Sequence, residues 1–116
     1  MDIYHIWCNA KAGTGDIAFC DKIARYLGRL REDGLIAGFR VTRRKLGLGP
    51  KTLGEFHIMI ETDDLAQLDR AFNRVAARSE PMESLHHGVN ALAEDVVFAL
   101  YRDFPDDFRE RGAEKF

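Results

Sequence analysis

The sequence predicts one α+β domain of order strand, helix, strand, strand, helix, strand, folded as a four-stranded antiparallel sheet with two helices on one face. Three observations carry this. Residues 38–64, GFRVTRRKLGLGPKTLGEFHIMIETDD, read as two strands joined by a basic, glycine-rich turn. Helical periodicity stands on both sides of that hairpin. Short β-branched and aromatic runs, residues 3–8 and 96–101, lie outside the helices.

The first strand, IYHIWC, ends at Asn9 and the breaker cluster at residues 12–15. Thr14 or Asp16 then caps a helix whose apolar stripe is Ile17, Cys20, Ile23, Ala24, Leu27 and Leu30, and Gly34 supplies its left-handed stop. In the hairpin, Phe39 and Val41 mark the second strand, and Phe56, Ile58 and Ile60 alternate with His57, Met59 and Glu61 in the third. Gly47, Gly49, Pro50 and Gly54 punctuate the turn between them. Asp63 or Asp64 caps the second helix with Gln67 as its capping-box partner, and Leu65, Leu68, Phe72 and Val75 form its stripe. Around Pro81, His86, His87 and Gly88 the periodicity fails, which predicts a loop or one short helical turn over 79–90. VVFALY at 96–101 is the fourth strand. The domain is thus expected to span 1–102, with 103–116 a tail that is either disordered or packs Phe104 and Phe108 on a partner subunit.

That order is the split βαβ arrangement of a ferredoxin-like sandwich, with the first and third strands central and the second and fourth at the edges. A sheet covered on one side should alternate apolar and polar residues. These strands do not. Ile3, His5 and Trp7 share one face of the first strand and Tyr4, Ile6 and Cys8 the other; the fourth strand sets Val96, Phe98 and Leu100 against Val97, Ala99 and Tyr101. Two or three exposed rings at about 150–250 Å² each already reach the largest patches a monomer tolerates, roughly 300–600 Å², so the sequence predicts a homodimer closed through the sheet face.

Composition narrows the function classes. At 116 residues, 46% hydrophobic and 31% charged with a net charge of -2, the chain fits one globular domain with no overall pull toward nucleic acid or anionic membrane. The opening MDIYHIWCNA has neither a cationic nor an apolar signal region, and no window approaches a membrane span, so cytoplasmic residence is expected. Cys8 and Cys20 lack metal-motif spacing and read as reduced core residues.

The strand order, the length and the doubly apolar sheet resemble the dimeric α+β barrel proteins, a group that includes stress-responsive α/β-barrel domains and cofactor-free antibiotic-biosynthesis monooxygenases. The resemblance covers 1–102. The runs RRKLGLGP at 43–50, GEFHIMIE at 54–61 and ALYRDFPD at 99–106 are similar to a bacterial family of unknown function assigned to that fold. In the monooxygenases the small-molecule cavity lies between helices and sheet, so the resemblance implies a cofactor-free site that Trp7, His57, Tyr101 and a loop histidine such as His87 would line.

From the residues themselves, His5 and His57 lie on adjacent central strands and meet if the register puts them on one face. A metal would need a third ligand, which the spacing does not supply, and no metal is expected. Arg43, Arg44 and Lys45 beside glycines invite an anion, but GLGPKT lacks the Walker spacing and leads into a strand, so edge protection is the plainer reading. Arg43 and Arg44 point to opposite faces, and one of them pairs with Glu55, Glu61 or a partner carboxylate. The candidate ligand-binding residues are therefore His5, Trp7, His57, His87, Tyr101 and Arg43. Two functions compete: a site that binds or converts a small aromatic or acidic molecule without a cofactor, and a non-catalytic, stress-associated or structural dimeric binding module.

Overall fold

The computed structural model describes residues 1–112. It contains β1 (Asp2–Ala10), α1 (Asp16–Glu32), β2 (Gly38–Arg43), β3 (Phe56–Thr62), α2 (Leu65–Ala76), α3 (Met82–Asn90) and β4 (Ala93–Arg102). The four strands form one antiparallel sheet of order β2-β3-β1-β4, so the central pair is β1 and β3. This is the ferredoxin-like α+β arrangement. No helix among the described residues is long and apolar enough to cross a membrane.

The core lies between α1 and the sheet. Phe19, Ile23, Leu27 and Leu30 of α1 meet Cys8 of β1 and Phe56, Ile58 and Ile60 of β3, with the Phe19 and Phe56 rings edge to face at 5.2 Å. The expected stripe of α1 is corrected at its start: Phe19 is buried, while Ile17 and Ala24 face solvent. At about 100° per residue Phe19 lies only about 40° from Ile23 around the helix, whereas Ile17 and Ala24 lie about 120° and 100° away. Neither Thr14 nor Asp16 is the cap; Gly15 holds that position without a side-chain bond. The stop is as read, with Gly34 at φ +73.

In α2 the capping box forms. Asp64 Oδ1 accepts from the Gln67 N–H at 2.8 Å, and Gln67 Oε1 accepts from the Asp63 N–H at 2.7 Å. Leu68 and Ala71 are buried, whereas Leu65 and Phe72 are half exposed. Where the sequence predicts a loop or one short helical turn over 79–90, a third helix of nine residues packs against α1. Met82, Leu85, His86 and Val89 recur at i, i+3, i+4 and i+7, and Met82 is fully buried. Tertiary packing of this stripe outweighs the helix cost of Gly88, which is about 1 kcal/mol.

Two details fix the hairpin. Arg44 Nη2 donates to the carbonyls of Pro50 and Leu53 at 2.8 and 2.7 Å, so the cation laces the turn together. Gly54 lies so close under β1 that a Cβ there would stand 2.3 Å from the Cys8 carbonyl carbon, a position only glycine fills. At the opposite end of the sheet Arg102 Nε donates to Asp2 Oδ1 at 2.6 Å, clasping β4 to β1. Beyond it, Asp106 pairs with Arg102 and accepts from the Arg109 N–H, while Phe104 and Phe108 stay exposed. Residues 113–116 of the expected tail lie outside the described residues.

Candidate functional site

Strand parity and register sort the chemistry onto two faces. The pairs Trp7↔His57, His5↔Met59 and Ile3↔Tyr101 place those six side chains together on the face without helices. There His5 Nδ1 and His57 Nε2 stand 2.8 Å apart in a hydrogen bond. Trp7 stacks on His57 with centroids at 4.4 Å and planes 9° apart, and Tyr101 sets its ring against His5 at 5.0 Å and 75°. Burial lowers the proton affinity of His5; burial and then the charge of His5 lower that of His57.

The opposite face carries a cavity of about 290 Å³ between α1, α2, α3 and the sheet. Its walls are mostly aliphatic and aromatic: Ile58 and Ile60 form its floor, and Phe72 of α2 and Phe98 of β4 flank Tyr4, edge-on at 5.2 Å and stacked at 5.8 Å. Four polar side chains line it: Tyr4, Tyr26, His86 and Asn90. Among the described residues none of the four hydrogen-bonds another protein group, and no side-chain polar atom is sealed from solvent without a partner. Their hydrogen-bonding capacity is therefore turned to the cavity or to water. Burial raises Tyr4, and burial followed by the charge of Tyr4 pushes the Tyr26 phenol up to about 12. The Cys8 thiol, also on the lining, is pushed by burial up to about 11. Among the described residues no Lys or Arg lines the cavity.

The structure thus gathers His5, Trp7, His57 and Tyr101, but on the face away from the cavity. His87 is exposed on α3 and does not line the cavity; its neighbour His86 does, with its ring 5.4 Å from Tyr26. Arg43 binds Asp16 and Glu55 at 2.8 and 2.9 Å and lies over the Phe56 ring, at the rim of the helix-covered side. No group of three or more His, Cys, Asp or Glu gathers among the described residues. Sequence reasoning missed Tyr4, Tyr26, His86 and Asn90. Tyr26 had a signal, since it falls one turn from Ile23 and Leu30 on the inner side of α1.

A family model covers residues 1–116. The chain belongs to DUF6614, a family of unknown function. Among curated proteins none matches it. Solved structures share the fold of this DUF6614 chain. A protein of Arabidopsis thaliana superposes with a TM-score of 0.69 at 8% identity, over 89% of this chain and 95% of that one. SnoaB, a cofactor-independent oxygenase from Streptomyces nogalater, gives 0.66 at 10% identity over 90% and 97%. A dimeric ferredoxin-like protein of unknown function from Jannaschia sp. CCS1 gives 0.63 at 14% identity over 89% and 100%.

Proposed function

We propose that the protein is a homodimer that binds one small aromatic molecule per subunit in the cavity between helices and sheet, without a cofactor. The observation that carries the reading is the convergence of Tyr4, Tyr26, His86 and Asn90, none bonded to protein, on an otherwise apolar cavity. Ligand sites combine apolar walls with a few such groups and start at roughly 300 Å³. The walls suit an aromatic ring flanked by Phe72 and Phe98. Among the described residues no Lys or Arg lines the cavity to offset a carboxylate's charge, which favours a neutral aromatic over an acid.

Dimerisation is supported by the uncovered face, where Tyr101 is 62% exposed beside Val97, His5 and Trp7 in the isolated subunit. A second copy closing on that face by a two-fold axis covers both patches at once. The Jannaschia protein of the same fold is dimeric.

Binding without chemistry is favoured over conversion by the state of the lining groups. With their pKa values raised to about 12 and about 11, Tyr26 and Cys8 are protonated at neutral pH and poor nucleophiles. A thermal-shift screen of phenols, quinones and small carboxylic acids, followed by calorimetry, tests the reading. Phenols or quinones raise the melting point and acids do not; no shift from any aromatic class rejects the cavity as a ligand site. Oxygen uptake with a bound ligand would reinstate conversion. Sedimentation as a stable monomer at micromolar concentration rejects the dimer.

A further inference from the structure

The 2.8 Å separation of His5 Nδ1 and His57 Nε2 requires one ring to donate and the other to accept, so one of the two facing nitrogens is bare. Two neutral rings satisfy this, and so does a pair holding one added proton. A doubly charged pair does not: both nitrogens carry hydrogens, the bond is lost, and two like charges touch.

The neighbours decide what each charge costs. On β1 and β3, Trp7 offers its face to His57, which accommodates one cation, and Ile3 and Met59 are apolar. From β4, Tyr101 presents a neutral ring to His5. From β2 the charged group is Arg40, opposite Met59, a further cation. The carboxylates on this side are turned away, engaged or remote. Glu61, opposite Ile3, is a diagonal neighbour of His5 at about 7–8 Å, but its Oε2 turns to the β2 side, 3.3 Å from where a Cβ of Gly38 would stand. Glu55 is held by Arg43 at 2.9 Å, Asp95 by Asn9 at 3.1 Å, and Glu94 stands opposite Asn9 at that same far end. The helices lie on the other face. Among the described residues, therefore, no carboxylate stands in ion-pair contact with either ring to offset a second proton.

We infer that the His5–His57 pair is a proton-limited latch: two copies close sheet to sheet only while each pair holds at most one added proton, and acidification opens them. This rests on the sheet-face dimer proposed above. Burial already disfavours protons on both rings, and a second copy buries them further. The separated subunits then bind more protons than the dimer below the ordinary imidazole value of about 6.5, so the dimer is strongest above that pH and weakens as pH falls beneath it.

Sedimentation velocity of the full chain from pH 7.5 to 5.0, with far-UV circular dichroism alongside, tests the latch. One proton excluded per subunit caps the effect at about a hundredfold in the dissociation constant per pH unit. The expected rise is tenfold or more between pH 7.0 and 5.5, falling below threefold in His5→Gln and His57→Gln, which keep hydrogen-bonding groups but carry no charge. A pH-independent constant, a rise that both variants retain, or loss of secondary structure in the same window overturns it. Ring-nitrogen NMR of the unsubstituted protein is a second readout: the pair takes up its protons in two separated steps, and a single step at the ordinary value overturns the latch. A chain that is monomeric at pH 7.5 removes the dimer reading and the latch together, whereas a pH-indifferent dimer removes only the latch.

Discussion

The two faces of one sheet use aromatic and imidazole groups in opposite ways. On the open face the rings bond one another: His5 holds His57, Trp7 stacks on His57, and Tyr101 abuts His5. Under the helices the side chains of Tyr4, Tyr26 and His86 bond no other described group and line the cavity. A self-satisfied cluster needs only a cover, so it suits an interface. Groups that bond no protein partner and line a cavity are free to bond a ligand or water, so they suit a binding site. The same residue types therefore carry different functions according to where their hydrogen bonds end.

The change with the largest effect breaks both faces together. Gly54→Ala drives a Cβ into the β1 backbone at Cys8, and denaturant unfolding should show a loss on the order of 4 kcal/mol. Next, Phe19→Ala on the helix side should cost about 3–5 kcal/mol of subunit stability. Trp7→Ala on the open face should instead act on assembly, weakening the dimer by about 2 kcal/mol, or roughly thirtyfold by sedimentation. If Trp7→Ala destabilises the subunit as much as Phe19→Ala does, the two faces are not functionally distinct. Smaller again, Tyr26→Phe and His86→Gln should each weaken an aromatic ligand about five- to tenfold by calorimetry while barely moving the free protein's melting point, because neither group bonds the protein. Smallest of all, Arg43→Ala should scarcely shift the denaturation midpoint, since its two ion pairs are half exposed.

The sheet was legible because period-two patterning and turn residues are local signals. His57, Met59 and Glu61 could be put on one side of β3 by parity alone, and the split βαβ order then made β1 and β3 neighbours. Whether His5 meets His57 was not legible, because register is set by pairing across some fifty residues. Helix α3 was hidden by two histidines and Gly88, whose weak propensity is overridden when Met82 enters the core. The cavity was hidden for a different reason. Tyr4 and Val75 stand among ordinary apolar neighbours on a strand face and a helix stripe, and Tyr26 falls outside the predicted α1 stripe. A cavity is a failure of side chains to meet, which no single position encodes.

The central place of β1 has a consequence for how the chain is made. Its two partners are β3, which pairs Asp2 with Thr62, and β4, which pairs Asp2 with Arg102. On a ribosome β1, made before the other strands of this domain, can pair one edge once β3 emerges but must wait for β4 to cover the other, with apolar residues on both faces. At about 5–20 residues per second that wait lasts several seconds, long against the microsecond scale of collapse. Sequence-distant pairing of this kind also slows folding after release. Within this domain β1 is thus the strand made first and among the last to have both edges paired.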